Sequence, residues 1–223
     1  MTRQPTPIPL AARAMCADDY AAARRSLMRR DPVLRAIIKR HGPCPLAVET
    51  PERSDPFLFI IRAITSQQLS TKAAATIFGR VRALFDGGVL DAAAVDRVDD
   101  TQLRSAGLSS QKIKYIRDLC AKVNAGAIDL RALAAMPDEA VIEAVTQVKG
   151  LGRWSAEMIL IFHLRRPDIL PTGDLGIVTA MKRLYGMRKP PKPQRMLKLG
   201  EQWRPYRSVA SWYLWRSLEN DPA

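Results

Sequence analysis

Val148-Lys149-Gly150-Leu151-Gly152-Arg153-Trp154-Ser155-Ala156-Glu157 decides the reading of this chain, together with Pro171-Thr172-Gly173-Asp174 downstream. Two glycines flank a single apolar residue, and a basic residue and a small-residue helix start follow at once. Gly150 and Gly152 can take backbone conformations closed to other residues and carry no Cβ, so a flat object can approach the main chain closely. The first amides of the following helix then point outward, with the positive end of the helix dipole behind them. Such a loop holds a phosphate without reading a base. Asp174 follows after an apolar, helix-length run that returns the chain to the same end. A phosphate clamp with a nearby acid points to chemistry on nucleic acid. Asp174 also suits a plainer role, capping the helix that begins after it.

Outward from this stretch the pattern is helical almost throughout. Alanine, leucine and arginine dominate, and β-branched alternation is scarce. Asp31-Pro32 and Asp55-Pro56 each read as an N-cap followed by a first-turn proline. Phe57, Ile60, Ile61 and Ile64 recur at helical spacing, as do Ile113, Ile116 and Leu119. Gly87-Gly88, Gly107 and Gly126 read as helix stops, and Met136-Pro137-Asp138-Glu139 opens the helix leading into the glycine stretch. Arg188-Lys189-Pro190-Pro191-Lys192-Pro193 is a stiff, basic, non-helical connection. Trp203 to Leu218 reads as the final helix, with Pro205 in its first turn. No internal repeat is present.

The bulk properties agree. The 223 residues suffice for one large core or two small ones. The formal net charge of +13 and a pI near 10.2 favour a polyanionic partner, DNA being the commonest. The basic residues are spread along the chain, unlike a basic tail or polybasic anchor. Cys16, Cys44 and Cys120 stand far apart, in no metal-ligand spacing, which suits free thiols in a reducing compartment and excludes an iron–sulfur cluster held by four cysteines. No apolar stretch is long enough to span a bilayer. The start, Met1-Thr2-Arg3-Gln4-Pro5-Thr6-Pro7, lacks the apolar core of a signal peptide. A cytoplasmic protein is expected, nucleoid-associated in a bacterium, acting without a membrane.

The stretch from Val148 to Met158 resembles the helix-hairpin-helix of the DNA glycosylase superfamily that includes endonuclease III. Within that superfamily the chain is most similar to 3-methyladenine DNA glycosylase II, the alkylated-base branch. Arg62-Ala63-Ile64-Thr65-Ser66-Gln67-Gln68-Leu69-Ser70 resembles the branch's helix end facing the damaged base. Gly107-Leu108-Ser109-Ser110-Gln111-Lys112 resembles its second loop and helix, and Trp203-Arg204-Pro205-Tyr206-Arg207-Ser208 with Trp212-Tyr213-Leu214-Trp215 resembles its C-terminal helix. The likeness runs from about Asp31 to about Leu218. It implies an all-α fold of two helical lobes with an active-site cleft between them. A flexible leader over 1–15, one lobe from 16–61 with 171–223, and a second lobe over 62–170 ending in the hairpin are expected. The family's best-known bacterial member has an additional N-terminal α/β domain, for which there is no room before Asp31.

The resemblance also implies a reaction. The enzyme would flip an alkylated base out of duplex DNA and hydrolyse its N-glycosidic bond, leaving an abasic site. Asp174 would be the catalytic carboxylate, stabilising the positive sugar that develops as the bond breaks and orienting water on it. An alkylated purine is already cationic and leaves without much acid assistance, so one carboxylate suffices. Trp154, Met158 and Trp215 would line the base pocket, where aromatic faces suit a cationic base. The family's well-known member has a tyrosine where Met158 stands. Gln67, Gln68, Leu69 and Ser70 fall where the family probes the emptied stack, with Gln68 at the wedge position. Lys112, Lys114, Lys149, Gly150, Gly152 and Arg153 would meet the DNA backbone. The hairpin carbonyls of Thr146, Val148 and Leu151 would hold a structural monovalent cation; no cofactor is otherwise required, and a monomer is expected. Two alternatives remain at this point. A bifunctional glycosylase/lyase for oxidised bases needs an amine nucleophile, which the superfamily's lyases place where this chain has Trp154. A non-catalytic helix-hairpin-helix DNA-binding module would need neither Asp174 nor the aromatic set.

Overall fold

The structure, a computed structural model, describes residues 13–48, 55–85 and 90–219. Those residues contain no strand. The helices are α1 (Ala17–Arg30), α2 (Pro32–His41), α3 (Pro56–Ser66), α4 (Thr71–Arg82), α5 (Ala92–Asp96), α6 (Asp100–Ser105), α7 (Ser110–Asn124), α8 (Asp138–Thr146), α9 (Arg153–Met158), α10 (Leu175–Leu184), α11 (Pro193–Gly200) and α12 (Arg207–Arg216). No described helix is long and apolar enough to cross a membrane.

The ends of these helices follow from side chains expected to set them. Asp31 accepts from the amides of Val33 and Leu34, with Pro32 at the first helical position of α2. Asp55 does the same for Phe57 and Leu58 ahead of Pro56. Such a cap satisfies orphan amides and contributes about 1 kcal/mol, and proline gives up no bond at N1. Gly107 and Gly126, with φ of 103° and 68°, terminate α6 and α7 in a region that side chains disfavour. Gly87-Gly88 lie outside the described residues, as do residues 1–12 of the expected leader.

The chain divides into two compact units, one of Met1–Glu49 with Leu160–Ala223 and one of Thr50–Ile159. In the first, α2 and α12 pack together with α1 and α10 around Leu34, Ile38, Met181, Val209 and Tyr213, all buried. In the second, α7 gathers α3, α5 and α6, burying Ile60, Ile64, Leu103, Ile116 and Leu119. Each such side chain contributes roughly 1.5–3 kcal/mol when fully buried.

Three expectations need adjustment. The divisions fall near 50 and 160, not at 62 and 171. A cut at 62 would pass through α3, whose Phe57, Ile60, Ile61, Ile64 and Thr65 share one buried face. The second crossing falls where α9 gives way to a π-helical turn over Ile159–His163, inside an unbroken apolar run that carries no boundary signal. Residues 13–15 do not belong to a loose leader: Met15 is buried, its amide donates to the Arg165 carbonyl at 3.0 Å, and Arg13 pairs with Asp19. The final helix starts at Arg207, not Trp203. Glu201–Trp203 form a 3₁₀ turn, and Arg204, extended at ψ 143°, precedes a cis Pro205. A residue before proline is driven out of the helical region, which sequence periodicity does not register.

The motif around this break is structural. Trp203 is fully buried and its indole donates to Asp31 Oδ2 at 2.7 Å, where the Tyr185 hydroxyl also donates. Burial first, then the hydrogen bond to Asp31, pushes the Tyr185 phenol well above its usual range. Arg207, 9% exposed, holds Asp168 through Nε at 2.7 Å and Nη2 at 3.1 Å. The bonds to Asp31 lock the early segment of the unit to its late one, and the Arg207–Asp168 pair braces the late segment. They give Trp203 and Arg207 a reason to be present that needs no ligand.

Candidate active site and nucleic-acid interface

The glycine stretch is a tight, well-anchored turn between α8 and α9. Val148 and Leu151 are buried, and the Leu151 amide closes the turn on the Val148 carbonyl at 3.1 Å. Gly150 has φ 80°, and a Cβ there would fall inside the Tyr115 ring, against Cγ, Cδ2 and Cε2. The Lys149 amide donates to Asp118 Oδ2 at 2.9 Å, so α7 grips the loop twice. Gly152 differs. It has an ordinary extended φ of −100°, a Cβ there would meet nothing within 4 Å, and it occupies the N-cap of α9. Glycine at an N-cap contributes no side-chain acceptor to the first amides of the helix. The first glycine therefore shapes the turn, and the second leaves its outer surface open.

The end of α3 is tied to this turn. Gln67 Nε2 donates to the Gly150 carbonyl at 2.9 Å, and Lys112 Nζ donates to the Thr65 carbonyl at 2.6 Å. Partial burial lowers the Lys112 pKa. Gln68 follows in the left-handed region at φ 57°, a conformation that costs a non-glycine residue roughly 1–2 kcal/mol and clusters at functional sites. Leu69 is 38% exposed, and Ser70 caps α4 by accepting from the Ala73 amide. Of the four residues expected to meet DNA here, Gln67 is engaged with the hairpin and Ser70 with its own helix. Gln68 and Leu69 face outward.

The cations divide in the same way. Arg153 is held bidentately by Glu139 at 2.7 and 3.0 Å and touches Glu157 at 3.3 Å. The hydrogen bonds from Arg153 lower the Glu139 pKa. Lys149, mostly exposed, lies 3.6 Å from Asp118, and Lys114 is exposed. Trp154, one position into α9, is 49% exposed, unusual for so large an apolar group, while Met158 at the end of α9 is half-buried. Neither Glu139 nor Tyr115 was identifiable as part of this surface, because each reaches it from another helix.

In the other unit, Asp174 ends a turn closed by its own amide on the Pro171 carbonyl at 3.1 Å. It is the N-cap of α10, the plainer of the two roles: Oδ1 accepts from the Ile177 amide at 2.8 Å. The same Oδ1 accepts from Trp215 Nε1 at 2.9 Å. Asp174 is 8% exposed, whereas Leu175 beside it is 82% exposed. The indole of Trp215 is stacked on Phe162, with ring centroids 5.6 Å apart at 28°. Trp215 and Asp174, expected separately, are thus brought together. Phe162, not foreseen, backs them from the π-helical turn.

One unit thus holds a carboxylate fixed by a helix amide and an indole, and the other a glycine turn with an open N-cap. The chain belongs to the HhH-GPD superfamily of base excision DNA repair proteins, whose family signature matches residues 61–205. Among its relatives, DNA-3-methyladenine glycosylase 1 of Schizosaccharomyces pombe is 36% identical over 168 residues, 74% of each chain. The crystal structure of DNA-3-methyladenine glycosidase from Bacillus halodurans superposes with a TM-score of 0.75 at 37% identity, covering 87% of this chain and 88% of that one. The structure of 3-methyladenine DNA glycosylase (Mag1) of S. pombe in complex with abasic DNA gives 0.74 at 32% identity, covering 88% and 96%.

Proposed function

We propose that the protein is a monofunctional DNA glycosylase of the 3-methyladenine II type, hydrolysing the N-glycosidic bond of alkylated bases in duplex DNA. The observation that carries the reading is Asp174, a nearly buried carboxylate whose Oδ1 is fixed by the Ile177 amide and the Trp215 indole. The similarity to alkylated-base glycosylases of two organisms supports the same reaction.

The chain's residues have distinct parts in it. The outer face of the turn at Gly152 and the first amides of α9 take a backbone phosphate, and Gln68 with Leu69 enters the stack. Trp154 offers its exposed face to the flipped cationic base, with Met158 half-buried at the end of the same helix. As the glycosidic bond breaks, its electron pair leaves with the base. Asp174 faces the resulting sugar cation with a preorganised negative charge. Water then adds to the anomeric carbon and releases a proton to solvent, leaving an abasic site in an intact strand. Trp154 in place of a lysine leaves no amine there to form a Schiff base. The carbonyls of Thr146, Val148 and Leu151 offer neutral oxygens suited to a monovalent cation. Val148 O spends one lone pair on the Leu151 amide and keeps a second. A cation there would stiffen the turn. The enzyme acts as a monomer.

The test is incubation with methylated DNA and with single-lesion duplexes, followed by chromatography of the released base. Release of 3-methyladenine with no strand scission is expected. Binding without release would leave a DNA-binding module, and scission at the lesion would mean a lyase.

A further inference from the structure

Gly176, the second residue of α10, has an ordinary φ, so its presence has nothing to do with backbone conformation. Its surroundings are specific. A Cβ at this position would lie 3.0 Å from Asp174 Oδ1, 3.0 Å from Trp215 Cδ1 and 3.3 Å from Trp215 Nε1. The missing side chain is therefore the space through which the indole reaches the carboxylate. Each neighbour is held on its far side. Asp174 is anchored through Oδ1 to the Ile177 amide, and the Trp215 ring is backed by Phe162.

We infer that Gly176 is a positioning residue for base release: by carrying no Cβ it seats the Trp215 indole against the first turn of α10, and the Nε1–H···Oδ1 bond then fixes the Asp174 carboxylate. The inference rests on the assignment of Asp174 as the carboxylate facing the sugar. A methyl group here must open the contacts by a few tenths of an ångström, and the bond that yields is the one between indole and carboxylate. Displacements on the ångström scale cost about 10²-fold in rate, so a shift of this size should cost on the order of tenfold. The direction is informative, because glycine to alanine in a helix ordinarily stabilises. A loss of rate at unchanged or higher stability would not follow from a merely structural role.

The experiment uses the full chain. Single-turnover base release from a methylated duplex is measured for the parent and Gly176→Ala, alongside thermal melting and affinity for undamaged duplex. The protein has four tryptophans, so the indole ¹H–¹⁵N spectrum has few resonances, and Trp215→Phe assigns the one that matters. Gly176→Ala should slow release about tenfold or more, keep affinity and melting temperature, and move the Trp215 indole resonance. An unchanged rate would overturn the inference, as would a slower rate with that resonance unmoved. If Gly176→Ala does not fold, Trp215→Phe decides: it removes the donor without touching α10, and release at the parent's rate would equally overturn it. A parent protein that releases no base would instead defeat the assignment of function, leaving the two failures distinguishable.

Discussion

The two glycines of the hairpin should respond in opposite ways to the same kind of substitution. At Gly150 an alanine must hold φ near 80°, which costs roughly 1–2 kcal/mol, and its methyl would occupy the Tyr115 ring. Because Cγ of that ring is among the atoms met, the whole side chain must leave its rotamer, not merely its tip. Overpacking of this kind costs about 1–3 kcal/mol. Gly150→Ala should therefore lose about 2–5 kcal/mol of stability, a fall in melting temperature of roughly 4–20 °C for a domain of this size. Tyr115→Ala in the same chain should restore part of it. At Gly152 the backbone is extended and a Cβ meets nothing, so even Gly152→Leu should melt within a few degrees of the parent. DNA binding reverses the order of interest. If a phosphate sits against the main chain at Gly152, a leucine side chain displaces it. Losing one hydrogen bond to a charged group, about 1.5–3 kcal/mol, lowers affinity roughly 10- to 150-fold for lesion and undamaged duplex alike. Melting curves and fluorescence-anisotropy titrations of both variants give all four numbers. A Gly150→Ala protein as stable as the parent would refute the packing argument. A Gly152→Leu protein with full affinity would refute the main-chain clamp.

Other outcomes follow from the same geometry. Asp174→Asn keeps an acceptor for the Ile177 amide and the Trp215 indole. It should melt near the parent yet release alkylated base about 10²–10³-fold more slowly; normal turnover in single-turnover assays would refute the catalytic role. Borohydride added during turnover should trap no protein–DNA adduct, since Trp154 supplies no amine; a trapped band on a denaturing gel would favour the lyase. Glu139→Gln should release Arg153 from its bidentate partner and raise DNA affinity about two- to fivefold, as expected for an exposed ion pair. Filter binding that shows no gain at low salt would mean that Arg153 does not reach the backbone. Overall affinity should fall steeply between about 50 and 200 mM salt, given the charge of +13; a flat titration would count against electrostatic docking.

Much of this was legible in sequence because it is local. Helix periodicity, the Asp31-Pro32 and Asp55-Pro56 starts, the glycine turn and the cap at Asp174 each depend on residues within one helical turn of one another. Steric and hydrogen-bonding rules act at that range without knowledge of the fold. What only the tertiary structure decided is non-local. Gln67 reaches across to Gly150, Glu139 closes on Arg153, and Tyr115 lies under Gly150. Asp31 accepts from Trp203, 172 positions away, and Trp215 reaches Asp174 over the space that Gly176 leaves. Residues read as DNA contacts by position, Gln67 and Arg153, turned out to hold protein partners, and a glycine with no sequence motif of its own leaves the space in which the indole meets the carboxylate. A linear pattern fixes which face of a helix is apolar. Which side chain from a distant helix fills the last few ångströms beside it is set by packing, and packing exists only once the chain has folded.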